Sequence, residues 1–254
     1  MKSWALILGA SSGIGAACAK KLAESGMNIY GIYLRKPQSV IDELENYIKS
    51  QNVEVVFHKM NAMNDEKRLE VVNNLAKLGY VKTFIHSIAF GTLKPMLSKD
   101  DHSTLNQKNI EMTINVMGSS LVYWTQDLYK ANLLKQGTQI FSMTSSGGRR
   151  QWPSYGAVSM AKATLESASR QLAVELAGEG IAVNTIQAGV TDTPALRKIP
   201  GNEKMIEFAN KQNPSGRLTL PEDIADYVSL LSMSNNSWLT GNVLRVDGGE
   251  DIIG

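Results

Sequence analysis

Residues 4–8, Trp4-Ala5-Leu6-Ile7-Leu8, form an unbroken apolar run that passes directly into Gly9-Ala10-Ser11-Ser12-Gly13-Ile14-Gly15 and then into a helical pattern of Ala17, Ala19, Leu22 and Ala23. A short continuous apolar run marks a strand buried on both faces, the kind found in parallel sheets. Glycines spaced G-x-x-x-G-x-G between strand and helix permit a tight turn, close approach of backbone to a diphosphate, and close packing of helix on sheet. Free amides at the helix start attract the anion. The flanking strand and helix favour this over a turn without a ligand. Gly9, Ser11, Ser12, Gly13, Ile14 and Gly15 are therefore the expected diphosphate-binding residues.

The alternation continues along the chain. Strands are expected over Asn28–Tyr33, Val53–His58, Thr83–Ser87, Gln139–Met143, Ile181–Gln187 and Asn242–Val246, with helices over Val40–Ser50 and Asp65–Leu78 and from Pro221. A long amphipathic helix is expected within Asp101–Leu134. The reading is an α/β Rossmann fold in a single domain over residues 1–254, a doubly wound parallel sheet of about seven strands with helices on both faces. A chain of 254 residues, 43% hydrophobic and 20% charged, suits one such domain. A fold of this size buries roughly 75% of its unfolded surface.

Strand ends at the carboxyl edge of such a sheet line the cofactor cleft. No Asp or Glu lies between Gly26 and Lys36, where an acidic side chain would hold the ribose hydroxyls of NAD. Arg35 and Lys36 stand there instead and suit the 2′-phosphate of NADP, the other reading being a solvated turn. NADPH is thus favoured over NADH. Asn61 and Ala62 follow the third strand, where an adenine would lie, and Ser87, Ile88 and Ala89 run out from the fourth. Gly189, Val190, Thr191 and Thr193 form a turn after the sixth, suited to a nicotinamide carboxamide.

The chemistry is expected in Ser145–Lys162, S-S-G-G-R-R-Q-W-P-S-Y-G-A-V-S-M-A-K. Tyr155 and Lys162 are seven apart, which on a helix places them within roughly 20° on one face, about 10 Å along the axis. A lysine there lowers the pKa of a nearby phenol, and both groups can serve one ligand. Ser145, at a strand end, offers a second hydroxyl. Asn115, among Thr113-Ile114-Asn115-Val116-Met117-Gly118, either positions a water or is a buried polar anchor. His86 has no partner for a triad and no metal-ligand spacing to His58 or His102, so it reads as a structural histidine, and no metal is expected. Residues 194–216, with Pro200, Gly201, Pro214 and Gly216, form an insertion of the size of a substrate loop or lid.

A net charge of +2 without blocks of like charge gives little support to nucleic-acid binding. Cys18 stands alone, excluding an internal disulfide and fitting a reducing compartment. The apolar run at the N-terminus is too short for a signal peptide or membrane span, and a cytosolic protein is expected.

Together, Gly9-x3-Gly13-x-Gly15, Asn115, Ser145, Tyr155, Lys162, Ala188-Gly189-x3-Thr193 and Val246-Asp247-Gly248-Gly249 resemble the short-chain dehydrogenase/reductase family over essentially the whole chain. Ordinary members space tyrosine and lysine as Y-x3-K, which here would need a tyrosine at Val158. The Y-x6-K spacing and Ile85-His86-Ser87-Ile88-Ala89-Phe90 are similar to the divergent enoyl-acyl-carrier-protein reductase branch. An ordinary glycine loop with Ser145, where that branch usually carries a second tyrosine, resembles its NADPH-using bacillus-type subgroup. The resemblance implies Tyr155, Lys162, Ser145 and Asn115 as catalytic residues, an enoyl thioester on acyl carrier protein or coenzyme A as substrate, a place in fatty acid biosynthesis, and a homotetramer. A 3-oxoacyl or carbonyl reductase is the nearest alternative, and a non-catalytic NADPH-binding redox sensor a further one.

Overall fold

Seven parallel strands form one sheet: β1 (Lys2–Leu8), β2 (Asn28–Tyr33), β3 (Val55–Lys59), β4 (Gly79–His86), β5 (Leu134–Ser145), β6 (Ala182–Ala188) and β7 (Val243–Val246), in the order β3-β2-β1-β4-β5-β6-β7. The computed structural model describes residues 1–100 and 103–253. Asp101 and His102, at the expected start of the long helix, lie outside them. Strand β1 shows how both faces are filled. Trp4, Leu6 and Leu8 join a core with Trp124 and Leu128 of α5 and Leu165 and Leu172 of α6, while Ala5 and Ile7 join another with Leu22 of α1 and Ile224 and Val228 of α8. Alternate side chains of an extended strand point to opposite faces, so a strand covered on both must be apolar throughout.

The helices are α1 (Gly13–Glu24), α2 (Gln38–Lys49), α3 (Asp65–Leu78), α4 (Gln107–Ile114), α5 (Ser120–Lys130), α6 (Gly156–Leu176), α7 (Asn202–Gln212) and α8 (Pro221–Met233). Helix α3 keeps its expected bounds because its start is well capped. The Asn64 side chain accepts from the Lys67 amide at 2.9 Å, and Asp65 and Glu66 occupy the first turn, where the helix dipole favours them.

The long helix expected over 101–134 is instead two helices joined by a π-helical turn, Asn115–Ser119, and α4 begins only at Gln107. The capping box between Asn106 and Asn109 fixes that start. Expansion at the π turn coincides with Gly118, against which α6 packs: a Cβ on Gly118 would lie 3.0 Å from the Ala161 carbonyl oxygen. Burial pushes the Cys18 thiol up to about 12, leaving it an inert core residue. Among the described residues, no helix is long and apolar enough to cross a membrane.

Candidate active site

The strand order reverses between β1 and β4, and the crevice at their carboxyl ends is where an open α/β sheet holds its ligand. Leu8 pairs in register with His86, so the loop leaving β1 lies against Ser87. Gly9 has φ +84, and a Cβ there would come within 2.3 Å of the Ser87 carbonyl oxygen. Only glycine allows this loop to lie so close to β4. The Gly9 and Ala10 amides both bond the Ile32 carbonyl, at 2.9 and 3.0 Å, holding the loop flat across β2. Ser12 caps α1 by position without a side-chain hydrogen bond, so its hydroxyl does not occupy the first-turn amides. A glycine cradle at a helix start fits the diphosphate of a dinucleotide.

At the end of β2, Arg35 is exposed and its guanidinium lies 4.3 Å from the centre of the Phe90 ring. Lys36 is half-buried beside it. Asn61 turns its side-chain oxygen to the Met63 amide (3.0 Å), and the Ala62 carbonyl accepts from Trp124 Nε1 (3.0 Å), so both are fixed in a turn at the end of β3. Ile88 packs on the core while Ser87 is partly buried and Ala89 exposed.

Ser145 ends β5 in register with Ala188, whose strand leads into the turn of Gly189, Val190, Thr191 and Thr193. The Thr193 hydroxyl accepts from the Leu196 amide (3.2 Å), and the Thr191 hydroxyl donates to the Gly189 carbonyl (2.9 Å). Ser145 also hydrogen-bonds the Tyr155 phenol. A Cβ on Gly147 would lie 2.5 Å from Tyr155 Cε1 and 3.2 Å from Ser145 Oγ, so the ring is packed into the fold of that loop.

Two expectations about this centre need correction. Tyr155 is the N-cap of α6, outside the helix proper, so the seven-residue helical phase does not by itself set its position. The phenol is also raised above its ordinary pKa, because burial outweighs the Ser145 hydrogen bond that lowers it. It is a neutral hydroxyl, and Lys162 is not what tunes it. Lys162 is buried and donates to the Met143 main-chain oxygen at 2.6 Å. Its own pKa is lowered to about 8 by burial, against the opposing pull of Glu166. Glu166 is fixed by the Thr144 hydroxyl at 2.7 Å.

Asn115 is not drawn into this group. It is exposed rather than a buried anchor, and its side-chain oxygen accepts from the Tyr123 hydroxyl at 2.8 Å. His86 is fully buried with Nε2 2.7 Å from Ser120 Oγ, a packed histidine as expected. Residues missed in the sequence are Thr144, Glu166 and Trp152. The indole Nε1 of Trp152 donates to the Pro200 carbonyl (3.0 Å), tying the Ser145–Tyr155 loop to segment 194–216, which includes α7. None of the three carries a spacing signal, because their partners are distant in the chain.

The profile of the family described as "Enoyl-(Acyl carrier protein) reductase" matches residues 9–250. The NADH-named enoyl-[acyl-carrier-protein] reductase of Enterococcus faecalis is 25% identical over 232 residues, covering 91% of this chain and 90% of that protein. The 3-oxoacyl-[acyl-carrier-protein] reductase of Chlamydia trachomatis is 29% identical over 250 residues, covering 96% of each. The crystal structure of enoyl-[acyl-carrier-protein] reductase (NADH) from Aquifex aeolicus superposes with a TM-score of 0.85 at 26% identity, covering 99% of this chain and 97% of that one. With a glycine cradle at a helix start, a paired serine and tyrosine, and a buried lysine at one sheet edge, the chain belongs to the enoyl-reductase type of the short-chain dehydrogenase/reductase family and is an oxidoreductase.

Proposed function

We propose that this oxidoreductase is an NADPH-dependent enoyl-acyl-carrier-protein reductase acting in cytosolic fatty acid biosynthesis on the trans-2 double bond of an enoyl thioester. One observation carries the reading. The phenol sits at the start of α6, whereas Val158, where a Y-x3-K enzyme has its tyrosine, is buried against Met117 and Ala161. Position 158 itself offers no hydroxyl. The phenol instead enters from the N-cap ahead of the helix, a displacement that suits an oxygen two carbons beyond the reduced carbon of an enoyl thioester.

When bound, the reduced nicotinamide supplies hydride. The Tyr155 phenol, neutral and held by Ser145, donates a hydrogen bond to the thioester oxygen as negative charge gathers there. A preorganised donor of this kind lowers the barrier by about 3 to 4 kcal/mol. Lys162 holds the ribose hydroxyls and keeps the site positive; Arg35 and Lys36 take the 2′-phosphate; Gly189 to Thr193 take the carboxamide. Leu93, packed with Tyr155 on the Met117–Val158–Ala161 cluster, and Met96, against Gly156, are the apolar wall for the acyl chain, and segment 194–216, tied to the Ser145–Tyr155 loop through Trp152, is the lid. Asn115 contributes through the π turn, which brings α6 close, rather than through its own amide. A homotetramer would cover Tyr227, Leu230 and Met233 of α8, which are exposed in one chain; sedimentation velocity checks it.

The deciding experiment follows NADPH absorbance with crotonyl and acetoacetyl thioesters of acyl carrier protein and coenzyme A side by side. Turnover confined to the crotonyl substrates is expected. Preferential reduction of the acetoacetyl substrates makes the protein a 3-oxoacyl reductase, and no substrate-dependent oxidation leaves the redox sensor.

A further inference from the structure

After Asp247-Gly248-Gly249 the chain turns back over the carboxyl edge of the sheet in a single 3-10 turn, Glu250–Ile252. The Asp251 side chain is only 2% exposed, yet it is met by three arginines from two places in the fold. Arg149 Nη2 pairs with Oδ2, Arg150 Nε lies 3.2 Å from Oδ1, and Arg245 Nε lies 3.4 Å from Oδ2. Gln187 Nε2 donates to the same carboxylate at 3.1 Å, and Arg150 Nη2 donates to the Asp251 carbonyl at 3.1 Å. One residue earlier, the Glu250 carboxylate accepts from the Val190 amide at 2.9 Å.

These partners divide by function. Arg149 and Arg150 lie in the connection between Ser145 and Tyr155, and Val190 lies in the turn assigned to the nicotinamide. Two consecutive carboxylates thus hold the loop that follows β5 and the turn that follows β6. The cluster is not an anion site: Asp247, Glu250 and Asp251 match Arg149, Arg150 and Arg245 one for one, leaving no surplus charge.

We propose that Glu250 and Asp251 are positioning residues forming a C-terminal latch: Asp251 sets the phenol through Arg149 and Arg150, and Glu250 sets the nicotinamide turn through Val190. This rests on the role given above to Tyr155. A carboxylate so enclosed leaves unpaired guanidinium groups when neutralised, and the loop they anchor is then free to move. Displacement of a reacting group by about 1 Å costs up to about 100-fold in rate.

The test is a double-variant cycle in the full-length protein, Asp251→Asn with Tyr155→Phe, alongside Glu250→Gln. The readouts are kcat with crotonyl thioester and the NADPH dissociation constant from cofactor fluorescence without thioester. Asp251→Asn is expected to lower kcat at least about tenfold with NADPH affinity within about twofold, and to add nothing in the Tyr155→Phe background. Glu250→Gln is expected mainly to weaken NADPH binding. Losses from Asp251→Asn and Tyr155→Phe that multiply, or equal changes in both parameters for the two carboxylate variants, overturn the latch. Should Asp251→Asn not fold, the half-exposed Arg149→Met is held to the same pattern. Tyr155→Phe with normal turnover instead removes the role of the phenol, and the latch on it falls for that separate reason.

Discussion

The Lys162 ammonium and the Met143 main-chain oxygen are joined by a 2.6 Å hydrogen bond inside the sheet-helix core. A neutral carbonyl, unlike a carboxylate, does little to offset burial, and the lysine is brought down to about 8. In the cofactor-free enzyme the group is charged below that pH and neutral above it. On the role proposed for Lys162 the charged form holds the ribose hydroxyls, so kcat/KM should be full at pH 7 and fall as pH rises through about 8. Glu166→Gln removes the one opposing influence and should move this alkaline limb to lower pH; a limb that stays in place refutes the assignment.

Tyr155→Phe removes the donor and should lower kcat by about 100- to 1000-fold while NADPH still binds. Ser145→Ala removes only the hydroxyl that steadies the phenol and should cost less, about tenfold. Steady-state rates and fluorescence titration of the cofactor separate the two quantities. Near-normal turnover of Tyr155→Phe would take the phenol out of the reaction.

Arg35 is stacked on Phe90 at 4.3 Å. That contact holds the guanidinium at the mouth of β2. Arg35→Ala should raise the NADPH dissociation constant about tenfold or more and leave that for NADH nearly unchanged. Equal effects on the two cofactors would show that Arg35 does not read the 2′-phosphate.

His86 is depressed to about 3, first by burial and then by the Lys162 charge. Because the unfolded chain takes up this proton near pH 6.5 and the native protein does not, stability is complete above that pH. Below it, unfolding free energy should drop by about 1.4 kcal/mol per pH unit until roughly pH 3. Urea denaturation at pH 7, 6 and 5 measures the slope. A His86→Gln variant should flatten it by that amount, and an unchanged slope would mean that other groups titrate.

The sheet was legible because burial on both faces writes itself as continuous apolar runs; β1, β2 and β6 lie within one or two residues of their expected bounds. The glycine loop was legible for a related reason: contact between Gly9 and Ser87 leaves no room for a side chain, and that constraint is local to the sequence motif. Of the two readings of Asn115 the buried anchor fails, because residues adjacent along a helix point to different faces and apolar neighbours in sequence do not bury it. The π turn rotates its amide outward to Tyr123.

What the sequence determined by itself is the order of strands and helices, the glycine loop between β1 and α1, and the identity of Ser145, Tyr155 and Lys162 as the groups available at one sheet edge. Tertiary structure decided their chemical states: the phenol raised by burial, the lysine lowered and bonded to a main-chain oxygen, and the loop between serine and tyrosine fastened by Asp251 from 96 positions beyond Tyr155. The reason is physical. Periodicity and steric demands act over a few residues of chain, whereas desolvation and ion pairing depend on which atoms surround a group once distant segments have packed together.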